Sequence, residues 1–377
     1  MLTANRWDIF CRVIDNHGDI GVCWRLAADL ASRGRKVRLW VDDPSALAWM
    51  APGALQGERN GIQVLGWNQA SDPATLATLT PADVWIEAFG CDLPDAFLAH
   101  HLRAAPLSGV LAWVNLEYLT AQSYAVRAHR LPSPVLHGAA RGSTKHFFYP
   151  GFTPGSGGLL REQDLDARQA GFARARWLTA QGIHCSGEEQ LVSLFCYEPA
   201  ALADLVAQWQ AQARPTRLLV TSGRAAAAVR ALNLPPGHGA GAQTLRIDFL
   251  PALTQQDFDH MLWTCDLNLV RGEDSVVRAL WAGKPFIWQI YPQHDDAHHA
   301  KLRAFLDLLD APASLRSAHA AWNSTGSAVL APLEPAPWAR WAVETRARLW
   351  EQSDLTTRLM EFVASILGRV SPAAESR

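Results

Sequence analysis

Short apolar runs alternate with longer amphipathic segments along most of the 377-residue chain. In the first half, the runs that predict strands are Trp7–Ile14, Val37–Val41, Val84–Phe89, Val110–Val114 and Phe147–Tyr149. In the second half they are Leu191–Cys196, Arg217–Val220, Leu245–Phe249, Leu267–Val270 and Phe286–Gln289. Helical spacing in the second half predicts helices over Ala200–Ala213, Ala225–Leu232, Gln255–Cys265 and Val276–Ala282. Strands that alternate with helices are typical of parallel sheets with helices on both faces.

The repeated pattern predicts an α/β protein of two Rossmann-like, doubly wound domains, because the chain is too long for one ordinary core. We expect a first domain over residues 1–182 and a second over 183–352, joined near Gln181–Glu189. The final amphipathic stretch, Trp338–Val370, predicts a helix, and we expect residues 353–377 to pack back on the first domain. Two such domains facing across a cleft occur in GT-B glycosyltransferases and in some dehydrogenases and epimerases, so fold alone leaves the function open.

Composition narrows the class of protein. The chain is 49% hydrophobic with a formal net charge of −2, which gives no reason to expect a nucleic-acid partner. The sequence contains neither an uninterrupted apolar run of membrane-spanning length nor a signal-peptide pattern at its start, so we expect no membrane partner. Its six cysteines are scattered without a CxxC pair, which favours buried reduced thiols and a cytoplasmic protein.

The loop after the first predicted strand carries the first candidate chemistry. Residues 15–21 (DNHGDIG) offer Asp15, His17 and Asp19 ahead of a helix. A dinucleotide-binding loop there would be rich in glycine and free of negative charge, which disfavours a nicotinamide oxidoreductase. Two carboxylates suit a cationic or proton-giving substrate better. For His17 a structural hydrogen bond is favoured over catalysis. Glu117, after another strand, is an acceptor contact, a helix cap or a surface residue.

Residues 271–275 (RGEDS) form the second candidate site, in the order strand, glycine turn, N-capping serine, helix. Free amides at that helix start, with Arg271 beside them, could hold a diphosphate. Glu273 and Asp274 suit sugar hydroxyls better than phosphate, because hydroxyls donate hydrogen bonds to carboxylates. A nucleotide-sugar presents both groups, although Asp274 and Ser275 could also merely cap the helix.

Aromatic residues near the second-half strand ends are candidates for a flat slot that holds a base. They are Phe195, Tyr197, Phe249 and Phe258, and core packing is the alternative for all four. Gln255, which begins the same predicted helix as Phe258, is also assigned to the donor site.

Two metal-like patterns carry little weight. Asp257-Phe258-Asp259 matches the DxD motif of GT-A glycosyltransferases, but it lies in a predicted helix, where positions i and i+2 face different sides. We interpret it as a solvated helix surface. His294 and His298 could share a helical face, but no further ligand cluster supports zinc there. We therefore expect neither a metal nor another cofactor.

Taken together, seven short motifs resemble the bacterial protein-arginine rhamnosyltransferases that modify translation elongation factor P. They are residues 15–27 (DNHGDIGVCWRLA), 115–119 (NLEYL), 131–133 (LPS), 147–152 (FFYPGF), 157–162 (GGLLRE), 271–275 (RGEDS) and 281–286 (WAGKPF). The resemblance extends from Asp8 to about Leu306. It implies a GT-B fold, a dTDP-β-L-rhamnose donor and transfer with inversion to one arginine of elongation factor P, which activates that factor for translating polyproline stretches.

The resemblance also assigns roles to residues. It implies that Asp19 is the catalytic aspartate with Asp15 as its essential neighbour, that Arg271, Gly272, Glu273, Asp274 and Ser275 bind the donor, and that the aromatic pocket maps onto Phe195, Tyr197, Phe249 and Phe258. From the residues themselves, Asp15 and Asp19 could grip a guanidinium, with Glu117 as a further acceptor contact. Glu273, assigned with Asp19 and Asp15 to the catalytic residues as well as to the donor site, would fix the rhamnose hydroxyls, and no metal is needed.

Two alternatives remain open at this point. The first is a GT-B transferase with another nucleotide-sugar and a small-molecule acceptor. The second is a non-catalytic protein that binds a dTDP-sugar and a translation factor and leaves that partner's mass unchanged.

Overall fold

The computed structural model describes residues 4–14, 17–104, 111–185, 187–234, 244–292, 297–325 and 329–368. The chain divides into two compact units, Met1–Gln163 with Gln352–Arg377, and Asp164–Glu351. The first boundary therefore comes earlier than residue 182, and the second falls one residue before the expected one. The early boundary arises because residues 165–180 pack on the second unit, where Trp177 Nε1 donates to Asp257 Oδ1 at 3.2 Å.

A seven-stranded sheet forms the centre of the first unit within the described residues. Its order is β3-β2-β1-β4-β5-β7-β6. Neighbouring strands are parallel except for the β6–β7 pair. The strands are β1 (Arg6–Cys11), β2 (Lys36–Val41), β3 (Ile62–Gly66), β4 (Val84–Ala88), β5 (Ala112–Leu116), β6 (Pro132–Pro134) and β7 (Thr144–Phe148). The carboxyl ends of β1, β4, β5 and β7 therefore lie along one edge, where ligands of doubly wound sheets bind.

Helices cover this sheet. They are α1 (Gly18–Ser32), α2 (Leu47–Met50), α3 (Pro73–Thr78), α4 (Asp95–Ala104) and α5 (Ser123–Ala128), with a 3₁₀ turn over Trp67–Ser71. Apolar strand residues such as Ile9 and Leu39 pack on Leu26 and Leu30 of α1 in one buried cluster. None of the helices in the described ranges is long and apolar enough to cross a membrane.

The second unit repeats the architecture with a five-stranded parallel sheet, again counted over the described residues, in the order β10-β9-β8-β11-β12. The strands are β8 (Gln190–Leu194), β9 (Thr216–Val220), β10 (Leu245–Phe249), β11 (Leu267–Arg271) and β12 (Phe286–Gln289). The helices are α6 (Leu165–Ala170), α7 (Arg174–Ala180), α8 (Leu202–Ala211), α9 (Arg224–Ala231), α10 (Gln255–Thr264), α11 (Gly272–Ala282), α12 (Ala297–Leu308), α13 (Ala313–Trp322) and α14 (Ala336–Trp350).

The carboxyl-terminal stretch contains two helices where the sequence pattern predicts one. Helix α14 ends at Trp350, and α15 (Leu355–Gly368) begins after a break at which the chain changes units. Asp354 favours the new start, because its Oδ1 accepts from the backbone N–H of Thr357 at 2.9 Å. Leu359, Val363 and other residues of α15 join the core cluster of the first unit. The prediction that the last helix packs on the first domain is thus confirmed.

Candidate active site

Asp19 lies at the carboxyl end of β1, where the first candidate loop enters α1. Asp15 and Asn16 are outside the described residues. Asp19 is in the first turn of α1 and is 3% exposed. Its Oδ2 accepts a hydrogen bond from the backbone N–H of Ile14 at 2.8 Å, which ties the loop to the carboxylate. The N-terminus of a helix also stabilises a negative charge. The carboxylate is thus held in a defined direction.

Glu117 follows β5 on the same edge of the sheet. Its Oε1 accepts from Asn115 Nδ2 at 2.8 Å, and Asn115 Oδ1 in turn accepts from the backbone N–H of Gly90 at 3.2 Å. Burial raises the pKa of the Glu117 carboxyl group. Burial, followed by the negative charge of Glu117, also raises the pKa of Tyr149 to about 12, so this neighbouring phenol stays protonated. Glu117 and Asn115 are thus joined by a hydrogen bond at the strand ends, and Tyr149 is near enough to feel the charge of Glu117.

Aromatic rings lie near these strand ends. Phe89 stacks on Tyr118 with ring centroids 4.5 Å apart, and Tyr124 meets the edge of Tyr149 at 5.8 Å. Phe89 has a φ of +58°, a left-handed conformation that costs energy for a residue with a Cβ and is often found at functional sites. Tyr118 and Tyr124 are 37% and 44% exposed, so their rings are accessible to a partner.

The strand order places the ends of β1 and β5, which precede the two acidic positions, near each other. β1 pairs with β4, and β4 pairs with β5. Since adjacent strands lie about 4.8 Å apart, the ends of β1 and β5 are separated by roughly 10 Å across the sheet. Between them is the end of β4, which carries Phe89. His17 also lies at this edge, and its ring packs edge-on against Trp49 at 5.1 Å.

In the second unit, β11 runs directly into α11 at the second candidate motif. The helix begins at Gly272, with Arg271 at the N-cap position. Gly272 has a φ of +70°, which glycine adopts at little cost, and its carbonyl accepts from Trp288 Nε1 at 2.9 Å. The prediction that Ser275 is the N-cap is wrong. Ser275 lies inside the first turn, where its hydroxyl donates to the carbonyl of Arg271, and the amides of the first turn precede it.

Arg271 is held by aromatic rings. Its guanidinium carbon lies 4.6 Å from the ring centre of Phe195 and 4.5 Å from that of Tyr197, and the side chain is almost fully buried. Phe258 meets the edge of Phe195 at 5.3 Å. Cation–π contacts in a buried setting hold a guanidinium firmly without neutralising its charge. Phe195 and Tyr197 therefore position Arg271 in the structure.

The structure does not bring Phe249 into this group. It ends β10, the edge strand, which β9 separates from β8, and the guanidinium of Arg230 lies 4.4 Å from its ring centre. Two strand spacings amount to roughly 10 Å. Gln255 is half-buried at the first residue of α10, the helix that carries Phe258.

Two cationic side chains near the second candidate motif were not identified from the sequence. Lys301 of α12 donates to Glu273 Oε1 at 2.6 Å. Arg224 Nε donates to Glu198 Oε1 at 2.8 Å, and its guanidinium carbon lies 4.8 Å from the ring centre of Tyr197. The hydrogen bond from Arg224 lowers the pKa of Glu198. Arg224 could have been found from its place at the start of a helix just after a strand, whereas nothing in the sequence marks Lys301.

The interpretation of Asp257-Phe258-Asp259 as a solvated surface is wrong for Asp259. The motif is helical as predicted, but Asp259 is 1% exposed. Its carboxylate accepts two hydrogen bonds from Arg278, Nε to Oδ1 at 2.8 Å and a terminal nitrogen to Oδ2 at 2.7 Å. This buried bidentate pair joins α10 to α11, so it supports the helix that carries the second candidate motif.

Of the two candidate zinc ligands, His294 lies outside the described residues, and His298 is buried on α12. Across the part of the chain that the structure describes, no group of three or more His, Cys, Asp or Glu side chains could hold a metal ion.

Comparison with known proteins agrees with this geometry. Residues 7–364 match the family model described as the elongation-factor P (EF-P) rhamnosyltransferase EarP. A protein-arginine rhamnosyltransferase of Pseudomonas aeruginosa is 40% identical over 96% of this chain and 99% of its own length. One from Pseudomonas putida is 42% identical over the same shares.

Solved structures give the same result. A chain from the structural study of EarP-mediated arginine glycosylation of translation elongation factor EF-P has a TM-score of 0.60 and 30% identity. The match covers 96% of this chain and 99% of that one. Arabidopsis thaliana UGT89C1 complexed with UDP, at a TM-score of 0.51 and 11% identity over 96% of this chain and 99% of its own, is similar in fold alone.

Two largely parallel, doubly wound sheets and a helix start with an arginine between aromatic rings define the class: this is a glycosyltransferase of the GT-B fold. The chain belongs to the elongation-factor P rhamnosyltransferase family, and it is a protein-arginine rhamnosyltransferase.

Proposed function

We propose that this enzyme transfers L-rhamnose from dTDP-β-L-rhamnose to an arginine side chain of EF-P, with inversion at the anomeric carbon. The observation that carries the proposal is Asp19, a buried carboxylate fixed by the Ile14 amide at the ligand-binding edge of the first unit. A relative whose solved structure concerns arginine glycosylation of EF-P supports the choice of acceptor.

On the acceptor side, a guanidinium is a planar cation that matches carboxylates. Asp19 and Glu117 supply carboxylates on the first unit, and Asp15 is assigned to the same task. The half-exposed rings of Tyr118 and Tyr124 would contact the protein that carries the arginine, since aromatic side chains are enriched at protein interfaces.

The protonation state of arginine restricts the mechanism. Arginine has a pKa of about 13.8, so complete deprotonation before reaction would cost roughly 9 kcal/mol at pH 7. An aspartate is too weak a base for that step. We therefore assign Asp19 the role of a general base that accepts the proton while the C–N bond forms.

The bond changes then balance. The guanidinium nitrogen forms a bond to the anomeric carbon, the bond from that carbon to the phosphate oxygen breaks, and its electron pair leaves with dTDP. Attack from the face opposite the leaving group gives inversion. Arg271 and the first amides of α11 would stabilise the departing diphosphate. Glu273 would hold rhamnose hydroxyls, so the proposed scheme needs neither a metal nor another cofactor.

The decisive test is intact-mass analysis of EF-P after incubation with the enzyme and dTDP-rhamnose. We expect one added deoxyhexosyl group, located on an arginine by fragmentation, and an anomeric configuration opposite to that of the donor by NMR. An unchanged EF-P mass in the presence of measurable dTDP-rhamnose binding would instead favour a non-catalytic binding protein.

A binding titration with several nucleotide-sugars tests which donor the enzyme uses. Calorimetry with dTDP-rhamnose, UDP-glucose and UDP-rhamnose should give tight binding for the dTDP-sugar alone. Equal binding of the uridine donors would favour a transferase with a different nucleotide-sugar.

The proposed cellular setting is the cytoplasm, where EF-P acts and where its rhamnosylation would support translation of polyproline stretches. All six cysteines are unpaired by disulfides, and five of them are buried, which agrees with a reducing compartment.

A further inference from the structure

Lys301 makes a close contact with the donor motif from outside it. Its ammonium nitrogen lies 2.6 Å from Glu273 Oε1, and the two side chains are 20% and 19% exposed. Lys301 is on α12, whereas Glu273 is in the first turn of α11. Exposed ion pairs contribute little, but a short, largely shielded pair between two helices is held more firmly.

The donor motif poses an electrostatic problem that this contact addresses. Glu273 and Asp274 place two carboxylates in the first turn of α11, beside the amides and Arg271 that would bind a diphosphate. Like charges in a partly buried site repel more than they do in bulk water, because water screens them less. An anionic Glu273 would therefore weaken binding of the diphosphate unless its charge is offset.

A carboxylate must nevertheless remain ionised in order to accept hydrogen bonds from two sugar hydroxyls with both of its oxygens. A neighbouring ammonium group meets both requirements, since it favours the ionised carboxylate and cancels its net charge. The ammonium group also fixes one carboxylate oxygen of Glu273, and this defines the direction in which the other oxygen points.

We propose that Lys301 is a positioning residue for the sugar half of the donor, which acts through Glu273. This inference rests on the proposed function in one respect, the assignment of Glu273 to the rhamnose hydroxyls. It predicts that Lys301 increases the affinity for dTDP-rhamnose more than the affinity for dTDP.

The test compares dTDP with dTDP-rhamnose by isothermal titration on wild type, Lys301→Met, Lys301→Arg, Glu273→Gln and the double variant Glu273→Gln with Lys301→Met. We expect Lys301→Met to weaken dTDP-rhamnose binding about tenfold and dTDP binding about twofold, while Lys301→Arg retains most of the affinity. In the Glu273→Gln background, Lys301→Met should change dTDP-rhamnose binding by less than about twofold. In turnover assays the KM for dTDP-rhamnose should rise and the KM for EF-P should not.

Arg303→Met is the matched control, because it removes one positive charge from the exposed side of the same helix, two residues away. It should leave both affinities unchanged. Thermal melts check folding, and if Lys301→Met is unfolded, Lys301→Gln serves in its place.

Three outcomes would overturn the inference. They are unchanged affinities in a folded Lys301→Met protein, an equal loss for dTDP and dTDP-rhamnose, and a full loss that persists in the Glu273→Gln background, which would indicate direct contact with phosphate. The proposed function fails differently, namely if wild type binds dTDP-rhamnose with the expected Lys301 dependence but does not modify EF-P.

Discussion

The candidate-site carboxylates of the two units differ in the donors that contact them. In the first unit, the Ile14 amide donates to Asp19 and the Asn115 side chain donates to Glu117, whereas cations pair with carboxylates elsewhere in that unit, as Arg38 does with Asp8 and Lys145 with Glu87. In the second unit, cations hold the carboxylates: Lys301 binds Glu273, Arg224 binds Glu198 and Arg278 binds Asp259. The same side-chain chemistry is thus embedded in two different electrostatic settings.

The difference has a direct consequence for ligands. A neutral donor fixes the direction of a carboxylate and leaves its negative charge to attract a cation. A cationic partner cancels that charge, and near Arg271, which two aromatic rings contact, Glu273 and Glu198 are each paired with a cation. This difference supports the proposal that the first unit binds the cationic acceptor and the second unit binds the anionic donor.

Replacing Asp19 should produce the largest effect. Asp19→Asn retains the size of the side chain and an acceptor oxygen for the Ile14 amide, but it removes the proton acceptor. We expect transfer to EF-P to fall about 10³-fold, a typical contribution of a general base, with dTDP affinity within about twofold of wild type. Single-turnover rate measurements check the loss of transfer, and calorimetry checks the affinity for dTDP.

The matched control is Asp42→Asn. Asp42 Oδ1 also accepts from a backbone amide at the end of β1, that of Val13 at 2.9 Å, but this side chain is exposed. It should transfer at nearly the wild-type rate. If Asp19→Asn retained activity in a folded protein, or if Asp42→Asn lost as much, the acidic edge would not contain the base.

Removing the positive charge of Arg271 should produce the next largest effect, which is on nucleotide binding by the second unit. Arg271→Met retains a chain that can pack between Phe195 and Tyr197 but removes the charge. We expect dTDP to bind about 10- to 100-fold more weakly, as for loss of a charge-assisted contact. Calorimetry measures this loss, and the KM for EF-P should stay unchanged. Arg230→Met removes the cation that covers Phe249 and should leave dTDP binding intact. An equal loss in both variants would indicate a general charge effect.

Sequence patterns predicted most of the alternating strands, because parallel strands are short apolar runs with clear polar ends, but they missed β3 and β6. Leu245–Phe249 and Phe286–Gln289 match β10 and β12 residue for residue. The prediction of one helix over Trp338–Val370 was less accurate. Amphipathic spacing continues through residues 351–354 and conceals the break between α14 and α15. A change of packing partner leaves no mark on periodicity.

At the site, the sequence located the loops and missed the partners. Strand ends identified Asp19, Glu117 and Arg271, since these lie within five residues after predicted apolar runs. Lys301 and Arg278 could not be predicted, because each meets its carboxylate through tertiary packing of separate helices. The solvated interpretation of Asp259 failed for the same reason, as its i, i+2 spacing is uninformative about a neighbouring helix.

The backbone at the start of α11 allows a smaller and more specific test. Gly272 at φ +70° and Gly283 at φ +64° flank the same helix, so alanine at either position should cost about 1–2 kcal/mol of unfolding free energy. Gly272→Ala should also weaken dTDP binding several-fold, because it shifts the first amides, whereas Gly283→Ala should not. Urea unfolding and calorimetry on both variants measure the two effects. Equal dTDP affinities would show that the first turn of α11 does not bind the nucleotide.

The smallest expected effect concerns Glu117. Burial raises the pKa of this carboxyl group in the folded protein. The folded state therefore binds the proton more tightly than the unfolded state, and the contribution of Glu117 to stability declines as pH rises from the unfolded pKa through the folded one. Glu117→Gln can still accept from Asn115, so it should raise the urea midpoint at pH 8 and leave it nearly unchanged at pH 4. Because the variant also removes a charge that would attract arginine, its KM for EF-P should rise while dTDP affinity stays constant. A lower urea midpoint at pH 8, with no change in the KM for EF-P, would contradict this prediction. It would mean that the ionised Glu117 side chain stabilises the first unit and does not attract the acceptor arginine.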